Sequence, residues 1–456
     1  MAEINLINLS EIENFKDLSP DFYKSDYMAK SLNIRSGSYR RLSQISYITD
    51  GEHGSPCWSN DSGIKYITAE FIKENFIGNG DFKQITVDQD QRNARARLQK
   101  DDILIYSVGA YAGLTCVAEP HLFPANIPRS VAIVRLNNTD EFYPEFISVF
   151  LNSQFGKFQS LRFRAGNSQP VLALEKIRQF EVPLVDILFQ KEIAELYQKS
   201  YELRKISNNL YQQATTLLEK ELGLDTFTFQ KPTSYTASFS EVLAFSRIDG
   251  EHFQPKFRNI RELIESYPNG FERLTSKIKV VKPDYQLKNH PTNTIHYIEL
   301  SNINPSMGYI DYIEEMDIKK APSRAKRLVI TGDVIASSVV GSVDKAGLVS
   351  DTENGYIASN GFFQFRSDYY SPEFLLLLIK SNFVKEQFHQ QSTGGILSAV
   401  PDQNLKYIIF PKIDVGLQNQ ITNLVRESHI KFGESKQLIE QANNRVVELI
   451  EKVATK

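Results

Sequence analysis

The chain has 456 residues, 41% of them hydrophobic and 23% charged, so it can bury two or three ordinary cores and is neither disordered nor collagen-like. Its 52 Lys and Arg against 55 Asp and Glu leave a formal charge of -3, which excludes a protein that binds polyanions with its whole surface. Cys57 and Cys116 are too few for a disulfide framework or an all-cysteine zinc site.

No segment of the sequence predicts membrane insertion. The longest strongly apolar run, residues 374–379, is far shorter than the ~20 residues that cross a bilayer. The first residues lack the basic and apolar stretches of a secretory signal. Together with the two cysteines, this predicts a cytoplasmic protein.

The sequence repeats itself once, at an offset of about half its length. The offset is 230, then 231, then 228 residues in the following pairs of segments: Ser10-Glu11-Ile12 with Ser240-Glu241-Val242, Asp102-Ile103-Leu104 with Asp333-Val334-Ile335, and Pro144-Glu145-Phe146 with Pro372-Glu373-Phe374. This period is too long for a solenoid, whose units have roughly 20 to 50 residues. The repeat therefore indicates a duplicated domain.

Each half begins with a globular stretch in which short β-rich runs alternate with helical patterns. In the first half, residues 65–68 and 130–134 are β-rich, whereas residues 144–158 follow a helical pattern. We therefore predict two similar mixed α/β domains, at residues 1–185 and 224–412, in a protein of the α+β class.

Each half then ends in a long polar segment without proline, residues 186–223 and 413–456, which predicts two long helices. Leucines and small residues recur at heptad spacing, and this is typical of a coiled-coil seam. The predicted seam consists of Leu196, Ser200, Leu203, Ser207, Leu210, Ala214 and Leu217 in the first helix, and of Leu424, Ser428, Ser435, Leu438 and Ala442 in the second.

The same ladder of small residues in both helices indicates that they pack against each other within the chain. A pseudo-twofold relation between the halves requires the helices to run antiparallel, as an intramolecular coiled coil. A helix of about 35 residues is roughly 50 Å long, so we expect a rigid spacer. A helix docked on its own domain is the alternative interpretation.

In this order, the motifs resemble those of the DNA-specificity subunit of type I restriction-modification systems. The resemblance extends over nearly the whole chain and rests on the duplication and on short motifs that occur in both halves. In the second half these are Gly332-Asp333-Val334-Ile335, Gly341, Gly347 and Phe410-Pro411-Lys412-Ile413 with Gln418 and Ile421; in the first, Asp101-Asp102-Ile103-Leu104, Gly109, Gly113 and Val182-Pro183-Leu184 with Gln190 and Ile193. Asp101 departs from the pattern, because a glycine commonly precedes Asp-Ile-Leu.

The resemblance implies two target-recognition domains, each of which reads one half of a bipartite double-stranded DNA sequence, separated by helices that set the spacing. It also implies partners: two adenine-methylating (M) subunits and ATP-dependent restriction (R) subunits. The chain itself is then a non-catalytic subunit without a cofactor, since S-adenosylmethionine and ATP belong to the partners.

A basic cluster precedes the Asp-Ile/Val motif in each half, and cations at one place in both repeats suit contact with DNA phosphates or guanine edges. The predicted DNA-binding residues are Arg92, Arg95 and Arg97 in the first half, Lys319, Lys320, Arg324, Lys326 and Arg327 in the second, and Arg162, Arg164 and Asn167 in a polar stretch of the first. A solvated charged face is the alternative for each group.

Two other functions stay open at this point. The paired helices could belong to a scaffold protein without DNA specificity, whose basic runs serve solubility. Asp284, Asp317 and Lys319 loosely match a nuclease pattern, although the first half lacks it and such short motifs arise often by chance.

Overall fold

The computed structural model describes residues 20–455 apart from residues 79, 167–168, 224–233, 246, 312 and 395–397. The chain divides into two compact units, Met1–Arg204 with Gly433–Lys456 and Lys205–Phe432. The division passes through both long helices, so each unit contains a part of each helix. The domain boundaries predicted from the sequence stay predictions.

The first unit alternates short strands and helices. Its strands are β1 (Tyr39–Arg41), β2 (Ser46–Asp50), β3 (Trp58–Ser59), β4 (Lys65–Tyr66), β5 (Ile72–Lys73), β6 (Phe76–Ile77), β7 (Gln84–Ile85), β8 (Ile103–Tyr106), β9 (Thr115–Val117), β10 (Ala125–Asn126), β11 (Val131–Leu136) and β12 (Glu181–Pro183). Its helices are α1 (Ser25–Arg35), α2 (Leu42–Ile45), α3 (Val87–Arg92), α4 (Pro144–Asn152), α5 (Gln154–Phe163), α6 (Leu174–Ile177) and the first part of α7 (Ile187–Glu221).

The second unit follows the same plan. Its strands are β13 (Phe271–Arg273), β14 (Lys279–Val280), β15 (Thr294–Ile298), β16 (Glu315–Asp317), β17 (Ala325–Leu328), β18 (Val334–Ser337), β19 (Ala346–Leu348), β20 (Ile357–Ser359), β21 (Phe362–Arg366) and β22 (Ile409–Pro411). Its helices are α8 (Phe239–Phe245), α9 (Pro255–Glu265), α10 (Leu274–Lys277), α11 (Pro372–Lys380), α12 (Asn382–Gln391) and the first part of α13 (Val415–Ala454).

The two units share the topology of the central sheet, whereas their second four-stranded sheets, β10-β4-β7-β3 and β16-β15-β20-β17, differ in strand order. Each has a central antiparallel sheet, in the order β2-β11-β8-β9 in the first and β14-β21-β18-β19 in the second. Each has an antiparallel pair, β1-β12 and β13-β22, whose second strand includes the start of the Val182-Pro183-Leu184 or Phe410-Pro411-Lys412-Ile413 motif. Each also has one parallel pair, β4-β10 and β15-β20. The predicted fold class, two similar mixed α/β domains, is confirmed.

The apolar helix after the central sheet is a main part of each core. Helices α4 and α11 both begin with proline, whose fixed φ suits the first helical position, and the Ser371 hydroxyl also accepts a hydrogen bond from the Phe374 N–H. All nine residues of α4 are buried, and so are seven of the nine in α11. The core position therefore explains the repeated Pro-Glu-Phe segment.

The aspartate of the Asp-Ile/Val motif is a buried anchor in both units. The Asp102 carboxylate accepts hydrogen bonds from Nε and Nη2 of Arg135, both at 2.7 Å, and that of Asp333 accepts them from Nε and Nη2 of Arg366 at 2.7 and 2.9 Å. Each aspartate, fully buried, also accepts from a backbone N–H three residues earlier. A buried charge needs such a partner, so the motif joins two strands of the central sheet.

The residue before this aspartate has a left-handed backbone in both units. The φ angle is +67° at Asp101 and +88° at Gly332. Glycine adopts this conformation without strain, whereas a residue with a Cβ does so at a cost. The departure from the family pattern at Asp101 is thus a strained site. Burial raises the pKa of Asp102, and the charge of Asp101 adds a smaller rise.

Helices α7 and α13 bury small residues at heptad spacing, as the ladder predicts. The fully buried column of α7 consists of Ile193, Ser200, Ser207 and Ala214, and that of α13 of Ile421, Ser428, Ser435 and Ala442. The predicted leucines lie beside this column and are half-buried, and their place in the seam stays a prediction: Leu196, Leu203, Leu210, Leu217, Leu424 and Leu438. The second buried column stands four residues after the first and includes Tyr197, Arg204 and Tyr211 in α7.

Within each unit, parts of both helices are in contact through serines. In the first unit, Ser200 Oγ lies 2.8 Å from Ser435 Oγ, and Arg445 donates to Glu192, so the two segments run antiparallel. In the second unit, Ser207 Oγ donates to the Ser428 carbonyl at 2.7 Å. The coiled coil over the full length of both helices stays a prediction.

The helices are also tied to the globular part of their own unit. Gln190 and Gln418, which belong to the repeated motif, donate to the carbonyls of Val185 and Ile413 at 3.1 and 2.8 Å at the helix start.

No helix within the described ranges is long and apolar enough to cross a membrane.

The strained turn at Asp101 gives a stability prediction. We expect Asp101→Gly to stabilise the protein by about 0.5–1 kcal/mol, because it removes a Cβ from a left-handed position. Gly332→Ala should destabilise it by about 1–2 kcal/mol for the converse reason. Urea unfolding of each variant measures both effects.

Asp101→Asn is the control, because it removes the charge beside Asp102 and keeps the Cβ. If Asp101→Asn stabilises as much as Asp101→Gly, charge repulsion and not backbone strain is responsible. A destabilised Asp101→Gly variant contradicts the interpretation.

Candidate nucleic-acid interface

The side of the central sheet where β2 and β8 end, in the first unit, carries polar loops. Strands β2 and β8 end at this edge and β11 begins there, with Asp50 opposite Ala132 and Tyr106 opposite Val131. The opposite edge holds the Asp102–Arg135 ion pair. The loops that follow β2 and β8 and precede β11 are therefore neighbours, and we call this side the loop edge of the unit.

The loop after β2 holds the basic cluster in place. Glu52 accepts hydrogen bonds from the Gln89 and Asn93 side-chain amides at 2.5 and 2.6 Å. Arg95 donates to the Thr49 hydroxyl at 2.5 Å and to the Asp50 carbonyl at 2.7 Å. The Asp50-Gly51-Glu52-His53 segment thus anchors the cluster to the loop edge.

The three arginines of the cluster have different surroundings. Arg97 is paired with the buried carboxylate of Asp90, which raises the pKa of the guanidinium. Arg95 is paired with Asp50 at 3.1 Å, and 45% of its side chain is exposed. Arg92 is exposed, and its side chain makes no hydrogen bond or ion pair with the described residues. Arg92 is therefore the member whose charge is most available to a phosphate.

The loop of Arg164 also lies at the loop edge. Val171 forms a bridge with Val108, which follows β8, and the Leu172 N–H donates to the Ser107 carbonyl at 2.8 Å. Arg164 itself is exposed. The structure thus brings this loop and the basic cluster, which are about 70 residues apart in sequence, to one side of the sheet.

Arg162, predicted in this stretch, does not add to this surface. Arg162 is only 7% exposed; its Nε donates to the Phe22 carbonyl at 2.9 Å and its guanidinium lies 3.9 Å from the Phe22 ring centre. Arg162 therefore stabilises the core of the unit. Asn167 lies outside the described residues.

Arg129 is a cation of the loop edge that sequence reasoning missed. It is exposed, its N–H donates to the Glu52 carbonyl at 3.0 Å, and its carbonyl accepts from Ser107 Oγ at 3.1 Å. Its side chain makes no hydrogen bond with the described residues. It stands between Pro128 and Ser130 in the sequence, outside any basic run, and only the pairing of three strands brings it beside the basic cluster.

The cations of the second unit are spread over a sheet. The order of strands is β16-β15-β20-β17. Lys319 and Lys320 follow β16 at one edge, whereas Arg324 and Lys326 lie at β17, at the other. At about 4.8 Å per strand, these edges are roughly 14 Å apart. All four side chains are exposed and have no side-chain partner among the described residues.

Arg327 is the exception among the cations of the second unit. It alternates with Lys326 on β17 and points inward, with 2% exposure, and Nη1 donates to the Val281 carbonyl at 2.6 Å. Burial lowers the pKa of its guanidinium. Arg327 is therefore buried inside the unit and bonded to its backbone. Exposure supports the prediction of DNA contact only for the other four cations.

The residues of the nuclease pattern are not assembled into a site. Asp317 ends the edge strand β16, whereas Asp284 precedes Tyr285, whose N–H donates to the Lys326 carbonyl at the opposite edge. Metal-bound carboxylates share a ligand sphere of a few ångströms. No group of three or more His, Cys, Asp or Glu suited to a metal ion occurs in the part of the chain that the structure describes.

A scan against protein-family models finds none that matches the chain, and a search of curated protein sequences finds no match either. Among solved structures, the chain is similar to the S subunit of a type I restriction-modification system from M. genitalium, with 12% identity and a TM-score of 0.40, over 91% of this chain and 95% of that chain. It is similar to the HsdS subunit from Thermoanaerobacter tengcongensis, with 14% identity and a TM-score of 0.28, over 92% and 95%. A third similar chain, from a study of complex assembly and conformational transition of the type I R-M system, has 12% identity and a TM-score of 0.27, over 92% and 96%.

The loop edge gives a prediction about salt dependence. If Arg92 and Arg129 contact phosphates, Arg92→Gln and Arg129→Gln should each reduce the slope of log K against log salt by about 0.9, because each contact releases a condensed counterion. Anisotropy of a labelled duplex across a salt series, starting at low salt, measures the slope.

Lys100→Gln is the matched control, since Lys100 is exposed and immediately precedes the strained turn at the opposite edge of the sheet. Its slope should equal that of the unaltered chain. Equal slopes for all variants would remove these two arginines from the interface.

Arg97→Gln should instead lower the melting temperature, because it leaves the buried Asp90 without its cation.

Proposed function

We propose that the chain is a DNA-specificity subunit of a type I restriction-modification complex, in which each unit binds one half of a bipartite target. The observation that supports this most is the duplication, which includes the central sheet and the helix contacts. In both units, exposed cations precede the equivalent buried aspartate in the sequence, and each unit includes parts of both long helices.

The helix contacts have the symmetry that a spacer between equivalent units requires. Ser200 corresponds to Ser428 in the repeat, and Ser207 corresponds to Ser435, each 228 residues apart. The pair Ser200–Ser435 in the first unit and the pair Ser207–Ser428 in the second are therefore equivalent contacts. We propose that the full helices form an antiparallel coiled coil that fixes the distance between the half-sites.

The chemistry belongs to partner chains in this proposal. The chain directs two M subunits, which methylate adenine with S-adenosylmethionine, and R subunits, which use ATP. The chain contributes selective binding, and it works in the cytoplasm with the DNA. A net charge of -3 supports this division, because few free cations are available to hold a duplex without partners.

A scaffold protein without DNA specificity is the second candidate, favoured only by the long helices themselves. Co-purification separates the two candidates, because an M subunit supports DNA specificity whereas unrelated proteins support a scaffold. The exposed arginines of the loop edge favour DNA.

Exchange of one unit tests the proposed function. Replacing residues 1–185 with the corresponding part of another specificity subunit leaves α7, which begins at Ile187, intact. We expect one half of the methylated target to change and the other half and the gap to stay, because each half-site is read separately. Mapping of methylated adenines in genomic DNA gives the result.

The control is the unaltered first half rejoined through the same junction, which must keep the original target. A change in both halves of the target, or a target that is no longer bipartite, contradicts modular readout. Tight, sequence-independent binding by the isolated chain contradicts the division of labour with the partners.

A further inference from the structure

An open cleft beside the loop edge of the first unit is lined by the tryptophan of the chain. Its volume is about 360 Å³, and its lining is Trp58, Ser59, Asn60, Phe82, Lys83 and Gln84. Trp58 is the single tryptophan of the sequence and is 48% exposed. Tryptophan is enriched where proteins bind partners, because its ring is large and its N–H can donate a hydrogen bond.

The indole is held in a fixed position although it is exposed. It meets the buried Tyr66 ring edge to face, with ring centres 5.8 Å apart, and Trp58 pairs with Ile85 in the strand ladder. The Lys83 ammonium lies 4.9 Å from the indole centre. Because the Lys83 ammonium lies over the indole ring, a flat ring can stack there only when this flexible side chain turns aside, toward an anion attached to that ring.

The rim of the cleft offers hydrogen-bond groups. The side-chain oxygen Oε1 of Gln84 accepts a hydrogen bond from the Gly63 N–H at 2.8 Å, which orients the side chain. The side-chain N–H groups of Gln84 then have no partner among the described residues. Asn60 is exposed and makes no side-chain hydrogen bond there. Lys83 is the one charged residue of the lining, and the nearest bonded carboxylate is that of Asp61, which accepts from the Ser59 hydroxyl at 2.9 Å.

The segment that carries Trp58 is linked to the basic cluster by hydrogen bonds. The Cys57 N–H donates to the Gln89 side-chain oxygen at 2.6 Å, and Gln89 in turn donates to Glu52 at 2.5 Å, in the loop that binds Arg95. Burial, and then the charge of Glu52, raises the pKa of Tyr66 to about 12, which is consistent with a carboxylate close to the ring under Trp58. A strand of DNA at the loop edge therefore passes near the cleft.

We infer that the Trp58 cleft takes one nucleobase unstacked from the half-site that the first unit binds. The base stacks on the indole, its edge meets the Gln84 and Asn60 amides, and its phosphate lies near Lys83. This inference rests on the proposed function and adds to it a residue that determines specificity or positions the DNA. Stacking on an aromatic ring contributes strongly to nucleic-acid binding and tolerates any base, whereas the amides discriminate between bases.

The inference makes the two units different. The second unit has no tryptophan, and the segment before its strand β15 has Tyr285 and His290 bonded to each other at 2.9 Å. These two side chains satisfy one another, and both are only partly exposed. We expect an unstacked base in the half-site of the first unit only.

The single tryptophan allows a direct test. The full chain is produced with 5-hydroxytryptophan, whose fluorescence is excited selectively, and is assembled with an unlabelled M subunit. It is titrated with a duplex that carries the mapped target. We expect saturable quenching of Trp58 fluorescence with the same midpoint as the anisotropy of the labelled duplex.

Substitutions test the contribution to affinity. Trp58→Ala should weaken specific binding about 5- to 100-fold, the range that loss of one base–aromatic stack gives, and Trp58→Phe should restore most of it. The matched control is Tyr369→Ala, which removes a 52% exposed ring with the Lys277 ammonium 4.4 Å from its centre, at the edge of the second central sheet opposite to its loops. It should bind like the unaltered chain.

The outcomes separate the inference from the proposed function. Specific binding without quenching, or with unchanged affinity in Trp58→Ala, overturns the Trp58 cleft as a base site and leaves the specificity subunit standing. Loss in Trp58→Ala with no rescue by Trp58→Phe also overturns stacking. If the assembled complex shows no sequence preference at all, the proposed function fails and the inference fails with it.

Discussion

The structure depends on how closely two helices can approach at buried serines. Four serine hydroxyl groups are buried at this contact, and buried hydroxyl groups need hydrogen-bond partners. Ser200 is paired with Ser435, and Ser207 with Ser428, so each serine provides the hydrogen-bond partner of the other. Leucines at these four positions would keep the axes apart, whereas serine permits contact and adds a hydrogen bond that fixes the register. Because the two pairs are equivalent in the repeat, the same contact between the two long helices is made once in each unit.

The globular part of each unit is organised around a second repeated interaction. The buried aspartates Asp102 and Asp333 fix one edge of the central sheet through Arg135 and Arg366. The opposite edge is thereby free to carry loops that differ between the units. In the first unit these loops hold exposed arginines and lie next to the Trp58 cleft; in the second unit the exposed cations spread over another sheet. Constant anchors with variable loops are what separate reading of two half-sites requires.

The sequence was sufficient to predict the duplication and the mixed α/β class, because repeated motifs and hydrophobic patterns are local. It did not distinguish the fully buried small residues of the long helices from the half-buried leucines beside them, because the heptad pattern alone does not reveal which column is more deeply buried. It also treated the basic runs as free charge. Asp50 and Asp90 neutralise two of the three arginines, and Arg162 and Arg327 are buried, which only tertiary contacts reveal. The same holds for Arg129, which the fold brings to the loop edge.

Disulfide trapping tests the serine contacts most directly. In a Cys57→Ser background, Ser200→Cys with Ser435→Cys, and separately Ser207→Cys with Ser428→Cys, should oxidise to an intramolecular bond, because the paired Oγ atoms lie 2.8 and 3.2 Å apart. Ser200→Cys with Ala442→Cys, about 10 Å out of register, should not. Mass spectrometry of unreduced chains distinguishes these results. Disulfide-linked dimers, or equal oxidation of the out-of-register pair, would contradict antiparallel pairing within one chain.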